Sequence, residues 1–230
     1  MEYSYLDTTV AQVHEEINRA CTDAGRDPSE ITCIVVTKRK PCALAQAVIS
    51  RGNVHIGENR PQEIMEKVPQ LQGNFTMHLI GQLQSNKVNK VAPYIDWAHS
   101  VDRPKIITKL NDAAGELSKT INICLQVNTS GEAQKSGCRP EEARHLCELI
   151  AQKPHLSLRG LMTMGPLGGT EQQTRAAFAT LRALGESIQD LCHEKRVELS
   201  MGMSGDFPLA IAEGATMVRI GSRIVGSREE

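Results

Sequence analysis

Short β-rich runs recur along the whole chain with room for one helix between neighbours, and this alternation constrains the fold more than any other feature. The runs are Cys33 to Lys38, Val54 to Gly57, Met77 to Gly81, Trp97 to Val101, Ile121 to Val127, Leu158 to Met162, Val197 to Met201 and Met217 to Gly221. Helical patterns lie between them. The clearest are Pro140 to Gln152, where Ala143, Leu146, Cys147 and Ile150 share a face, and Thr174 to Leu191, where Ala177, Leu181, Leu184 and Ile188 do. Strands alternating with helices imply a parallel sheet. Eight such units in 230 residues fit a closed α/β barrel of the (β/α)8 TIM type better than an open doubly wound sheet, although about 250 residues is typical. The shortage falls at the end, where nine residues after Gly221 are too few for a full covering helix. An extra N-terminal helix, with Val10, Val13, Ile17 and Ala20 at helical spacing and Asp7 or Thr8 as its cap, is expected to cover the barrel there.

Nothing in the sequence resembles a linker, so residues 1–230 read as one domain. A net charge of -1 with interleaved signs argues against a nucleic acid or anionic membrane partner. No run approaches the roughly 18 to 20 apolar residues of a membrane span, and the first residues lack a secretory pattern, so a cytoplasmic protein is expected. The seven cysteines show no C-x-x-C spacing and the seven histidines no ligand spacing, which predicts reduced thiols and no metal site. No exposed apolar helix stripe demands a partner, and a monomer is expected.

In a barrel the active site lies at the C-terminal strand ends. That rule gathers Lys38, Gly57-Glu58-Asn59, Gly81 to Gln84, Thr163, Ser200 to Ser204 and Arg219 to Ser222 into one ring. By strand alternation, Ile34, Val36 and Lys38 share a face, as do Met217, Arg219 and Gly221; if both faces point inward, Lys38 and Arg219 meet across the first and last strands. Lysine at a strand end often serves only to solvate it, but a primary amine at a barrel mouth is suited to covalent carbonyl chemistry. Burial or neighbouring cations such as Arg39 and Lys40 raise its neutral, nucleophilic fraction. Gly221-Ser222, with Ser204 from the preceding loop, matches the place where such barrels bind phosphate, although Gly-Ser pairs also simply make turns. A reactive lysine, a phosphate cradle and a cationic partner together suggest pyridoxal 5'-phosphate (PLP) as a Schiff base on Lys38. Arg219 would face the ring nitrogen. A guanidinium donates to that nitrogen without readily protonating it, which makes the cofactor a weak electron sink.

The sequence closely resembles the YggS/PROSC family of pyridoxal-phosphate-binding homeostasis proteins over nearly its whole length. The resemblance is carried by Val36-Thr37-Lys38-Arg39-Lys40-Pro41, Ile56-Gly57-Glu58-Asn59 with Gln62-Glu63, His78 through Lys87, Gln126-Val127-Asn128 with Lys135-Ser136-Gly137, Arg159 to Met162, Leu199 to Ser204 with Asp206, and Val218 to Gly221. It implies a barrel similar to the N-terminal domain of alanine racemase (PLP fold type III), with the Schiff base on Lys38, phosphate contacts at Ser204, Gly221 and Ser222, and Arg219 at the ring nitrogen. It also implies a carrier or regulator of cofactor supply without established turnover, for which apo PLP-dependent enzymes are possible recipients. Two positions depart from the family pattern. Arg60 stands where many relatives carry tyrosine, and Gly205 interrupts an acidic pair.

Asn59 is a candidate cofactor contact, as is His78, and the satisfaction of buried backbone groups is the equally simple role for each. Ser85 reads as a helix cap. Lys40, Lys87 and Lys135 are secondary amine candidates, with surface solvation as their plainer role. Tyr3, Tyr5 and Tyr94 are all away from expected strand ends, which leaves a racemase without an obvious second proton-transfer group. The alternatives are a low-activity amino-acid racemase or related enzyme, and a sugar-phosphate enzyme with Lys38 as an aldolase-like base.

Overall fold

A computed structural model describes residues 2–132, 134–192, 194 and 196–226. Its eight strands, β1 (Thr32–Val36), β2 (His55–Glu58), β3 (Thr76–Leu79), β4 (Trp97–Val101), β5 (Ile121–Gln126), β6 (Leu156–Met162), β7 (Glu198–Met203) and β8 (Met217–Ile220), form a closed barrel in sequence order. Every pairing is parallel, and Ile34 of β1 lies beside Arg219 of β8 at the closure. All eight strands expected from the sequence are present, with ends moved by a few residues. The shift that matters is in β1, which stops at Val36 and leaves Lys38 in a turn beyond it.

The strands are apolar on both faces because both are covered. Ile34, Val36, Trp97, Cys124, Met162 and Met217 fill the barrel. The opposite faces pack on the helices, among them α1 (Tyr5–Asp23), α2 (Cys42–Ile49), α3 (Pro61–Lys67), α4 (Val88–Val91), α5 (Pro104–Glu116), α6 (Ala143–Ala151), α7 (Glu171–Ser187), α8 (Phe207–Ala212) and α9 (Ser222–Val225). In α6 the buried residues are Ala143, Leu146, Cys147 and Ile150, the face that the periodicity predicts. Helix α7 begins at Glu171 because Thr170 and Gln173 form a reciprocal capping box, with the Gln173 amide donating to Thr170 Oγ1 at 3.3 Å and the Thr170 amide to Gln173 Oε1 at 2.9 Å.

Helix α1 covers the end of the barrel that the four-residue α9 leaves short. Thr9 donates to the Ile224 carbonyl at 2.9 Å, and Arg26 reaches the Ile211 and Ala215 carbonyls at 2.9 and 2.6 Å. The Thr9 bond satisfies a carbonyl at the end of α9, and the Arg26 bonds tie the segment after α1 to the end of α8 and the loop that follows it. Neither Asp7 nor Thr8 caps α1. The helix begins earlier, after Ser4, and Asp7 lies in its first turn, where Arg51 holds the carboxylate at 2.8 Å. Ser85 is not a cap either. It sits in a turn before α4, and its carbonyl accepts from Lys109 Nζ at 3.2 Å.

One close approach fixes the rim of the barrel. A Cβ on Gly81 would lie 2.0 Å from the Asn59 carbonyl oxygen, so only glycine lets the segments following β2 and β3 touch there. Gly81→Ala should lower unfolding free energy by about 2 kcal/mol in urea titration, with a shift of the Asn59 amide resonance marking the displaced rim.

Candidate functional site

At the C-terminal strand ends, Lys38, Asn59, Ser204, Arg219, Gly221 and Ser222 all line one cavity of about 300 Å³. The sequence places all six at this end, and the fold brings them together. Val36, Ile80, Met164 and Val225 supply apolar wall, and Lys40 adds a second amine. The corners after β7 and β8 are tied directly, with the Gly221 amide donating to Ser204 Oγ at 3.2 Å. The Met203 amide donates to Asp206 Oδ1 at 2.6 Å and shapes the first of these corners.

Arg219 is 3% exposed. It donates to Ser200 Oγ at 2.8 Å and to the Thr163 carbonyl at 2.9 Å. Burial lowers its pKa to about 10, opposed by the negative charge of Asp206, so the guanidinium is a cation at neutral pH. Two of its five N–H donors are used in these bonds, which leaves donors for a ligand in the cavity.

Lys38 is half-buried and follows Thr37, which is held from several sides. The Thr37 amide donates to the Gly57 carbonyl at 3.0 Å, and its hydroxyl to Glu58 Oε1 at 2.7 Å. Lys67 Nζ donates to the Thr37 carbonyl at 2.9 Å, to Glu58 Oε1 at 2.7 Å and to Glu63 Oε2 at 3.2 Å. Glu63 also accepts from the Arg39 amide at 2.6 Å. Arg39 adopts φ +59°, a left-handed conformation that strains a non-glycine residue. Bonds on both sides of Lys38 thus fix the turn that presents it. Burial raises the Glu58 pKa while Lys67 opposes the shift, and Glu58 Oε2 is buried without a hydrogen-bond partner.

The remaining candidates separate. Arg60 and Lys87 line a neighbouring cleft with Gln82 and Gln84, and Arg60 also lines a small pocket with Lys38, Arg39, Asn59 and Glu63, so the departure at Arg60 changes the surroundings of Lys38 without lining the main cavity itself. Lys135 donates to the Gly165 carbonyl at 2.6 Å and pairs with Glu132, away from the cavity. His78 does not reach the cavity. It is fully buried inside the barrel between His55 and His99, at 3.0 and 2.9 Å. Period-two alternation puts His78 and His99 on inward faces, a signal available in the sequence, but His55 becomes recognisable as a partner only when the strands pair, and Glu58 and Lys67 only when α3 packs back against β2.

Burial lowers the pKa of His78 well below its ordinary value, and burial with the nearby Arg219 lowers that of His99 to about 3. Above about pH 6.5 both are neutral whether the chain is folded or unfolded, and they give stability no pH dependence. Below it the unfolded chain takes up protons that the folded barrel refuses. Stability should therefore fall by about 1.4 kcal/mol per pH unit for each histidine. Urea midpoints between pH 7 and 5 would show this, and His99→Gln should remove its share of the slope.

The closed barrel and the cavity at its C-terminal mouth define a protein of the alanine racemase barrel class. The alanine racemase N-terminal domain family matches residues 12–229, and alanine racemase of Clostridium difficile shares the fold at TM-score 0.76 and 14% identity, over 98% of this chain and 57% of that one. A pyridoxal phosphate homeostasis protein of Pseudomonas aeruginosa is 41% identical, covering 98% of this chain and 97% of its own length. The solved structure of PipY from Synechococcus elongatus with PLP bound is similar at TM-score 0.80 and 37% identity, over 92% of this chain and 100% of that one. The chain belongs to the family of pyridoxal phosphate homeostasis proteins.

Proposed function

We propose that this protein binds PLP reversibly and buffers or delivers it, acting as a cytoplasmic, monomeric carrier built from one domain, residues 1–230, with apo PLP-dependent enzymes as recipients. The observation that carries the reading is the convergence of an amine, a buried guanidinium and a hydroxyl-lined corner on one cavity. The residues fit the group. Gly221, Ser204 and Ser222 line the same part of the cavity, which sets two hydroxyls beside a glycine backbone there. The donors there are hydroxyls and an amide, and Arg219 has donors to spare.

When bound, PLP supplies an aldehyde and an electron-withdrawing ring. Lys38 Nζ, which lines the cavity, would be the amine that holds the aldehyde. Ser204, Gly221 and Ser222 would hold the phosphate. Arg219 would donate to the ring nitrogen, and with a pKa of about 10 its guanidinium is too weak an acid to protonate that nitrogen readily. Asn59, which lines the cavity at its rim, would contact the ring.

A carrier is favoured over a racemase because racemisation requires a second acid or base across the cofactor from Lys38. Among the described residues, no tyrosine or thiol lines the cavity. Tyr5 donates to the Val225 carbonyl from α1, and Tyr94 packs against the outer core. The sugar-phosphate alternative predicts a colourless protein that takes up no PLP. The deciding experiment measures how fast loaded protein activates an apo-enzyme compared with free PLP at the same concentration. Faster activation supports delivery, whereas robust Lys38-dependent turnover of an amino acid would replace the carrier with an enzyme.

A further inference from the structure

A chain of polar side chains crosses the barrel interior beneath the cavity. His55 Nδ1 meets His78 Nε2 at 3.0 Å, His78 Nδ1 meets His99 Nε2 at 2.9 Å, and His99 Nδ1 meets Ser200 Oγ at 2.9 Å. Ser200 Oγ in turn meets Arg219 Nη1 at 2.8 Å. His55 begins β2, so the chain runs from the N-terminal face of the barrel to the guanidinium at the other end. Trp97 stacks on His78 with ring centroids 5.6 Å apart and lies 5.8 Å from His99, which helps to shield the middle of the chain from water.

We propose that His55, His78, His99 and Ser200 are positioning residues for Arg219, ordered as a single chain in which every imidazole is neutral and carries its proton on Nε2. The direction follows from donor accounting. Arg219 Nη1 can only donate, so Ser200 Oγ accepts from it. The serine proton then needs an acceptor, and among the described residues His99 Nδ1 is the one in reach. Were His99 to donate there, a buried hydroxyl proton would be left unpaired, at about 1–3 kcal/mol. With Nδ1 accepting, His99 donates from Nε2 to His78 Nδ1, and His78 donates from Nε2 to His55 Nδ1.

This order directs every lone pair towards the cation. Arg219 is buried and forms no ion pair with a carboxylate among the described residues, although Asp206 acts on it from further away. An oriented run of dipoles stabilises the charge without neutralising it, and aligned hydrogen bonds reinforce one another in a low-dielectric interior. A carboxylate placed directly on Arg219 would compete with a ligand for its donors. The chain instead engages Nη1, the Thr163 carbonyl takes one proton of Nη2, and the remaining donors are left for the cavity. The link from this chain to cofactor binding rests on the PLP reading above, whereas its hydrogen-bond order does not.

Nitrogen-15 imidazole spectra of the full chain, free of cofactor and near pH 7.5, test the order directly. Neutral Nε2–H tautomers at His55, His78 and His99 are expected. An Nδ1–H tautomer or an imidazolium at His78 or His99 would overturn the proposal, whatever the protein binds. The coupling to Arg219 is tested by two variants of His99. Asparagine places its side-chain oxygen near the position of Nδ1 and retains an acceptor for Ser200, whereas leucine removes it. His99→Leu should weaken PLP binding about tenfold and shift the pH midpoint of the bound cofactor's absorbance, and His99→Asn should restore both. Equal behaviour of the two variants would remove the coupling. A wild-type protein that takes up no PLP would defeat the cofactor reading, and the spectra would still decide the chain.

Discussion

Lys38→Ala is expected to abolish covalent retention of PLP. After borohydride reduction and digestion, the wild-type protein should yield a pyridoxyl adduct on the peptide that contains Lys38, and the variant none. The amine follows Thr37, whose amide, carbonyl and hydroxyl are all engaged, so the turn is set before a ligand arrives. Removing the side chain leaves that scaffold and the Arg219, Ser204 and Gly221 donors in place. Residual, non-covalent binding should be weaker by about 100-fold, and stability should change by about 0.5 kcal/mol or less. An adduct on Lys40, the other amine lining the cavity, with Lys38 unmodified would transfer the chemistry to the neighbouring residue.

A second large effect is expected at a residue that does not line the main cavity. Lys67 is 7% exposed and is the cation that faces the fully buried Glu58. Lys67→Met would leave Glu58 and the half-buried Glu63 without their shared countercharge. Breaking one side of a buried pair in this way costs about 3–5 kcal/mol. The Thr37 carbonyl would keep the Lys40 amide at 3.1 Å but lose the ammonium, so the variant should bind PLP less tightly as well as unfold at lower urea. Adding Glu58→Gln removes the stranded charge, and the double variant should recover most of the stability. It should not recover all of the affinity, because the Thr37 carbonyl still lacks its ammonium. A single Lys67→Met variant within 1 kcal/mol of wild type would show that the cluster contributes far less than its burial implies.

The fold was legible because its signal is local and repeated. Runs such as Ile34-Val35-Val36 and Ile121 to Val127 announce strands buried on both faces, and the face of α6 follows directly from helical period. The gathering of the candidate residues was legible for a related reason. In a parallel barrel all strands point the same way, so locating the C-terminal end of each one places Lys38, Asn59, Ser204, Arg219, Gly221 and Ser222 on a single rim. Caps were less legible. Asp7 suits a cap by residue type, yet a tertiary contact with Arg51 claims its carboxylate. Ser85 also has a suitable side chain, but the helix begins after Lys87. Lys135 reads as an exposed amine, and the fold instead bonds it to the Gly165 carbonyl.

The order of hydrophobic and polar residues along the chain determined the number of strands, their alternation with helices and the end of the barrel where chemistry collects, because each depends on short-range periodicity and on one topological rule. Tertiary structure alone decided which polar side chains face one another inside. His55, His78, His99 and Ser200 come from β2, β3, β4 and β7. Their contacts depend on barrel closure and on angstrom-scale register, since a buried hydrogen bond forms or fails within a few tenths of an ångström. The pairing of Lys67 with Glu58 is decided in the same way, by how α3 packs back against the end of β2.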